Sequence, residues 1–148
     1  MNIFVLSRDP REAARMMNDR HVVKMVLESL QLLSTALHCH SLPAPYRKTH
    51  VNHPCSLWVR ERAGNYAWLY EHADALGKEY TIRYGKVHKS HALLSTIPNT
   101  IPAPEGMTEF ANVTPYRDMD VVDAYRTLYM VEKRHIATWK TNPPHWWK

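Results

Sequence analysis

The segment from residue 19 to about residue 40 constrains the fold more than any other part of the chain. Most of its residues are valine, leucine, methionine or alanine, and its polar residues recur at helical spacing. At 100 degrees per residue, five polar side chains fall within a sector of about 80 degrees. A helix with so narrow a polar face is expected to be buried on several sides and to line a cleft with the remainder. We call this face the polar stripe: His21, Lys24, Glu28, Gln31 and Thr35.

The polar stripe combines a carboxylate, two proton donors and an amide. Glu28 lies one helical turn from Lys24 and two turns from His21, which suits a general base or an electrostatic stabiliser. The same spacing is compatible with a solvated groove without chemistry, and Lys24 and Glu28 with a simple ion pair. The pattern therefore nominates Glu28, His21 and Lys24 as catalytic candidates and leaves the inert alternative open.

Prolines and acidic caps divide the rest of the chain. Asp9-Pro10-Arg11-Glu12 has the acid, proline and glutamate of a helix start. Pro54 opens another helix, and Asp118 or Asp120 caps the last one. In chain order we predict a strand or extended segment at 3–6, helices at about 10–17, 19–40, 54–84, 86–94 and 120–139, a proline-rich loop at 98–116 and a tail at 141–148.

These elements predict an all-α fold, a compact helical bundle around a central buried helix. With 148 residues, 45% of them hydrophobic and 22% charged, the chain fits one domain, residues 1–148. The long loop at 98–116 is a candidate lid or arm. Six residues of the 54–84 helix share one side and predict either an opposite wall for the cleft or a salt-bridged surface: Glu61, Asn65, Trp68, His72, Glu79 and Arg83.

Several classes of site have no support in the sequence. The apolar segment 22–37 is interrupted by charged residues, so no membrane span is expected. We expect a cytoplasmic protein, because Met1 leads straight into the fold with no leader, and we expect reduced cysteines. The histidines and cysteines do not have the paired spacing of metal sites, so no metal or cofactor is expected. No obligate protein partner is evident.

The net charge of +5 favours a polyanionic partner. A run around Gly85 mixes basic and aromatic residues, which suits phosphate contact with base stacking. Two adjacent tryptophans near the end of the chain must either pack on the core or be offered to a ligand. The candidate nucleic-acid-binding residues are Arg83, Lys86, Lys89, Trp146, Trp147, Lys148 and His53.

These motifs resemble those of the phage-type endonuclease V family of pyrimidine-dimer DNA glycosylases and its phage and bacterial relatives. Asp19-Arg20-His21 followed seven residues later by Glu28 is similar to the helix that carries the family's catalytic glutamate. The resemblance extends through Asn52-His53-Pro54, Trp58, and Glu79 with Arg83-Tyr84-Gly85-Lys86, and a tryptophan-rich basic C-terminus recurs as well. It implies a bacterial or phage-infected host cell and a DNA-repair enzyme acting on damaged or modified bases.

The resemblance also implies a mechanism. In that family a free N-terminal amine attacks the sugar of a flipped-out nucleotide, giving a Schiff base and then strand cleavage, with the helix glutamate assisting. An α-amine in a peptide titrates near about pH 8, so part of it is unprotonated at neutral pH, unlike lysine. The amine would belong to Met1, or to Asn2 after processing. The family removes the methionine before a small residue, whereas a methionine before asparagine is expected to stay.

The function implied by the resemblance is a DNA N-glycosylase with AP lyase activity on damaged double-stranded DNA. Two alternatives stay open at this point. One is a non-catalytic nucleic-acid-binding protein with the same fold, whose binding would be sensitive to salt but not to the loss of Glu28. The other is an enzyme acting on free nucleotides or other small molecules.

Overall fold

The computed structural model describes all residues from Met1 to Lys148 and confirms an all-α fold. Its six α-helices are α1 (Pro10–Met16), α2 (Asp19–Cys39), α3 (Pro54–Glu61), α4 (Ala63–Tyr84), α5 (Lys89–Leu94) and α6 (Val121–Val131), followed by a 3₁₀ turn (Arg134–Ile136). No strand is present, and residues 3–6 form an irregular segment buried against the core. None of the helices has the length and apolar character needed to cross a membrane.

The predicted helix starts agree with the caps in the structure. The Asp9 side chain accepts hydrogen bonds from the amides of Arg11 and Glu12, and the Asp120 side chain does the same at the start of α6. Asn18 caps α2 through the amide of His21. These caps satisfy amides that have no partner within the helix, which is why short polar residues begin each of these helices.

The central helix is α2, which packs against α3, α4 and α5, while α1 packs against α4. Most α2 residues are buried and join one hydrophobic cluster with residues 3–6, α4 and α6. Five α2 residues are exposed: Arg20, Val23, Lys24 and Leu27 in the first half of the helix, and Cys39 at its end. The predicted central, largely buried helix is therefore present, but of the polar stripe only Lys24 is exposed, whereas Glu28 and Gln31 are half-buried and His21 and Thr35 are buried.

The helix predicted over 54–84 is broken at Arg62, whose backbone is extended. The proline-rich loop causes the break, because its carbonyls at Pro104 and Gly106 accept hydrogen bonds from the amides of Ala63 and Gly64. A side chain at Gly64 would meet the Gly106 carbonyl oxygen at 2.4 Å. The loop is thus packed against the α3–α4 junction and is not a free arm.

The last helix ends at Val131, earlier than the predicted Trp139. The chain then returns to the start of α2, where the Thr138 carbonyl accepts a hydrogen bond from the Asp19 amide at 2.8 Å. The Trp139 indole donates to the carbonyl of Met16 at 3.0 Å. These long-range bonds replace the helical ones that a continued α6 would have made.

Candidate active site

The polar stripe opens at its N-terminal half into a small polar cavity of about 200 Å³. The beginning of the chain forms one side of this cavity, α2 forms another, and a lysine just after α6 completes it. We call it the N-terminal cavity; its lining residues are Met1, Asn2, Phe4, His21, Lys24, Met25, Glu28 and Lys133.

The terminal nitrogen of Met1 lies 3.7 Å from Oε1 of Glu28. The other carboxylate oxygen, Oε2, lies 3.5 Å from Nζ of Lys24. The Glu28 side chain is only 12% exposed, whereas that of Lys24 is 70% exposed. A carboxylate so placed can take a proton from the nitrogen, while Lys24 faces solvent beside it.

The side chain of Met1 is buried. It is 4% exposed and packs against the hydrophobic core. Residues 3–6 are buried as well, so the segment that leads to the amine is held by packing rather than free in solvent. A retained methionine side chain is therefore accommodated at this position, with its nitrogen beside Glu28.

His21 is buried next to the cavity and stacks on Phe4, with ring centroids 4.1 Å apart. Its Nδ1 lies 2.6 Å from the hydroxyl of Tyr129. Burial lowers the pKa of His21 to about 3, with the positive charges of Lys133 and Lys24 adding to the effect. His21 is therefore neutral at physiological pH and cannot serve as an imidazolium acid there.

Lys133 was not a candidate from the sequence. It follows the end of α6, more than one hundred residues from Glu28, and reaches the cavity only through the fold. No spacing or motif in the sequence marks it.

The last two residues of the polar stripe, Gln31 and Thr35, do not line the cavity. Thr35 is buried and donates a hydrogen bond to the Thr49 carbonyl, and Gln31 is half-buried.

Arg83 does not have the exposure that a DNA contact requires. Its side chain is fully buried, with the guanidinium 3.3 Å from Asp19 and 3.1 Å from Glu79. It also donates to the carbonyls of Met17 and Arg15. The prediction that Arg83 binds nucleic acid is wrong, because every polar edge of the guanidinium is engaged inside the protein.

The other basic candidates differ in exposure. Lys86, Lys89 and Lys148 are exposed and free to meet a phosphate. His53 is half-buried and caps α3, where its Nδ1 accepts the hydrogen bond of the Cys55 amide. Burial lowers the pKa of His53, and the positive charge of the terminal amine adds to this.

The two C-terminal tryptophans pack on the protein. The Trp146 indole donates to the sulfur of Met16, and the Arg126 guanidinium lies 5.3 Å from its ring centre. Trp147 lies between Trp139 and Arg134, with ring centroids 4.9 Å apart in the tryptophan pair. Both side chains remain half-buried, and these contacts hold the C-terminal tail against the rest of the protein.

The second polar row on α4 does not face the cavity. The His72 ring is buried, stacks on Trp68 and bonds to the Pro10 carbonyl. Asn65 bonds to the Trp58 carbonyl and to Thr108 of the proline-rich loop. This row therefore does not form a wall of the N-terminal cavity, and its Glu79–Arg83 ion pair is buried rather than part of a solvated surface. No residue of the loop 98–116 lines the cavity either, so it is no lid there.

No group of three histidine, cysteine or acidic side chains is arranged to hold a metal ion. Cys39 and Cys55 are both free, and burial raises the pKa of the Cys55 thiol to about 11. The chemistry available at the N-terminal cavity is therefore that of an amine, a carboxylate and two lysines.

Comparison with known proteins gives a family match. A family model described as pyrimidine dimer DNA glycosylase matches residues 1–93. No curated protein and no solved structure matches the chain. The matched region contains Met1, His21, Lys24, Glu28 and His53, whereas α6, Lys133 and the tail lie outside it.

Proposed function

The chain belongs to the pyrimidine dimer DNA glycosylase family, and on this basis we propose that it removes a damaged base from double-stranded DNA with the Met1 amine as nucleophile and then cleaves the strand as an AP lyase. The family supports a DNA glycosylase that acts on damaged bases. The observation that supports the nucleophile is the 3.7 Å approach between the Met1 nitrogen and the Glu28 carboxylate.

The first step is a displacement at the sugar. The damaged nucleotide leaves the stack, and the amine lone pair attacks C1′. The bond from C1′ to the base breaks, and its electron pair leaves with the base, which takes up a proton. Opening of the C1′–O4′ bond, with a proton going to O4′, gives a protonated imine between Met1 and the sugar. Glu28 accepts the protons that the nitrogen gives up.

The second step breaks the strand. Removal of a proton from C2′ of the imine expels the 3′-phosphate, and Glu28 is the carboxylate beside the imine that can take this proton. Water then hydrolyses the imine and restores the free amine. Lys24 and Lys133 flank the cavity, where their charges favour the phosphates on either side of the reacting sugar.

The remaining candidates have supporting roles in this proposal. Neutral His21 orients the N-terminal segment through its stacking on Phe4. Lys86, Lys89 and Lys148 contact the DNA backbone, and half-buried His53 adds a contact at the start of α3. Trp146 and Trp147 are half-buried and offer their remaining exposed surface to the DNA beside Lys148.

The test is borohydride trapping of the protein on ultraviolet-irradiated and on abasic duplex DNA. Wild type is expected to give a covalent adduct, and Glu28→Gln to form it about 100-fold or more slowly. Glu105→Gln is the matched control, because Glu105 is an exposed glutamate on the loop and its carboxylate has no partner. If Glu28→Gln formed the adduct at the wild-type rate, the proposed role of the Glu28 carboxylate as proton acceptor would be contradicted.

Absence of any adduct in wild type would overturn the lyase proposal. Salt-sensitive binding that survives Glu28→Gln would then identify a non-catalytic DNA-binding protein. Turnover of free nucleotides with little dependence on salt would instead identify a small-molecule enzyme.

A further inference from the structure

The N-terminal segment is held by α6, a helix that lies outside the region matched by the family model. We propose that the hydrogen bond between Asn2 and Tyr125 is a positioning device that sets the Met1 nitrogen at Glu28. This inference rests on the proposed function, because it assigns the residues that present the nucleophile.

The anchor is a part-buried hydrogen bond. The Tyr125 hydroxyl donates to Oδ1 of Asn2 at 2.7 Å, and the Ile3 amide donates to the same oxygen at 2.8 Å. Tyr125 is fully buried, and its hydroxyl also lies 3.4 Å from the Val113 amide. Because the Val113 amide, in the loop before α6, holds the Tyr125 hydroxyl in place, that hydroxyl fixes the position of the Asn2 side chain.

A second contact holds the other end of the segment. The Arg126 guanidinium donates to the Leu6 carbonyl at 2.9 Å. Between the two bonds, the Phe4 ring packs edge-on against Tyr125 and Tyr129 and stacks on His21. The segment from Asn2 to Leu6 is therefore attached to α6 at both ends and packed in the middle.

The anchor also determines which amine reaches Glu28. The Asn2 side chain is bound to Tyr125, and Met1 is the residue before Asn2. The terminal nitrogen of Met1 is therefore the amine that lies 3.7 Å from Glu28. A chain that began at Asn2 would have its amine about 3.5 Å away, one residue length, from the present position. In this arrangement the nitrogen at Glu28 is that of Met1, whose buried side chain adds a further hold on it.

Loss of the Tyr125 hydroxyl is expected to act on rate rather than on DNA affinity. Phenylalanine keeps the ring that packs against Phe4 but leaves Oδ1 of Asn2 without its donor from α6. Displacement of a nucleophile by about 1 Å can reduce a rate by about 100-fold.

The experiment compares Tyr125→Phe with Tyr66→Phe in single-turnover trapping on an abasic duplex. Tyr66 is the matched control, because it is also fully buried and its hydroxyl donates to the Pro98 carbonyl at 2.7 Å, away from the cavity. Tyr125→Phe is expected to form the adduct at least 10-fold more slowly than Tyr66→Phe, with an unchanged dissociation constant for the duplex. Equal rates in the two variants would overturn the inference.

A second measurement does not depend on activity. Amide hydrogen exchange in residues 1–6 is expected to be faster in Tyr125→Phe than in Tyr66→Phe, because the Ile3 amide shares the anchored oxygen. Unchanged exchange would also overturn the anchor. If wild type forms no adduct while exchange increases as expected, the proposed function fails and the anchor stands.

Asn2→Leu tests the other partner of the bond. Leucine removes the acceptor and, like asparagine, is bulky enough that methionine is expected to stay, which intact mass measurement would verify. The variant is expected to lose rate as Tyr125→Phe does, and peptide mapping of the wild-type adduct is expected to place it on Met1. An adduct on Asn2 or on a lysine would overturn the assignment of the Met1 amine.

Discussion

The buried guanidinium of Arg83 lies 3.3 Å from the carboxylate of Asp19 and ties the last turn of α4 to the first turn of α2. Glu79 completes the cluster at 3.1 Å. Asp19 also accepts a hydrogen bond from the Lys140 amide at 3.0 Å, so the cluster joins α4, α2 and the segment after α6. It lies at the base of the helix that carries Glu28.

Replacing Arg83 by methionine is expected to destabilise the protein by about 3–5 kcal/mol, because two buried carboxylates would lose their counter-charge. Urea unfolding measures this. Arg11→Met is the control: Arg11 is an exposed arginine paired with Glu71, and its loss should change the free energy of unfolding by less than about 1 kcal/mol. If the Arg83→Met protein were stable but bound DNA more weakly, the structural role of Arg83 would be contradicted and Arg83 would be assigned to the DNA-binding surface.

Stability is expected to fall as the pH is lowered from about 6.5 towards 4. Burial lowers the pKa of His21 to about 3 and that of His72 to about 4. Both rings therefore take up protons in the unfolded chain before the folded one, so their stabilising contribution is present above pH 6.5 and is lost below it. Together they predict a loss of about 3 kcal/mol between pH 6.5 and pH 5.

His72→Gln is expected to remove about half of that pH-dependent loss, as measured by urea unfolding at the two pH values. The glutamine amide can still donate to the Pro10 carbonyl, which the His72 ring contacts at 2.9 Å. His145→Gln serves as the control, because His145 is exposed. An unchanged loss in His72→Gln would contradict the assignment of a buried neutral ring.

Replacing Lys86 and Lys89 together by alanine is expected to weaken duplex binding and to reduce the salt dependence of that binding. For each phosphate that a lysine no longer neutralises, the slope of log K against log salt becomes shallower by about 0.9. The measurement is fluorescence anisotropy across a salt series. Lys78→Ala is the control, because its ammonium is already paired with Asp74 at 3.0 Å. A slope equal to that of wild type would exclude both lysines from the interface.

Gly64→Ala is expected to destabilise the protein by about 2 kcal/mol or more, because the added carbon would meet the backbone oxygen of Gly106 at 2.4 Å. Gly85→Ala meets no neighbouring atom, but Gly85 has a φ of 74°, which costs an alanine about 1 kcal/mol. Thermal unfolding of both variants separates the two effects. Equal losses would contradict the close packing of the loop on α4.

Local pattern was enough to predict much of the fold. The caps at Asp9 and Asp120 and the apolar periodicity of α2 act within a few residues of each other, so they can be identified without the rest of the chain. Helix ends were harder to predict. The break at Arg62 and the early end of α6 depend on hydrogen bonds to distant carbonyls and amides, which carry no local signal.

The sequence by itself determined that α2 presents a narrow polar face, and it nominated Glu28, because helical periodicity alone brings His21, Lys24 and Glu28 together. Only the tertiary structure decided what meets that face. It placed the Met1 nitrogen at Glu28, brought in Lys133 and buried Arg83. Met1 lies 27 residues from Glu28 in the chain, and Lys133 lies more than 100 residues from it. Packing and long-range hydrogen bonds, not sequence spacing, therefore set the distances between these residues.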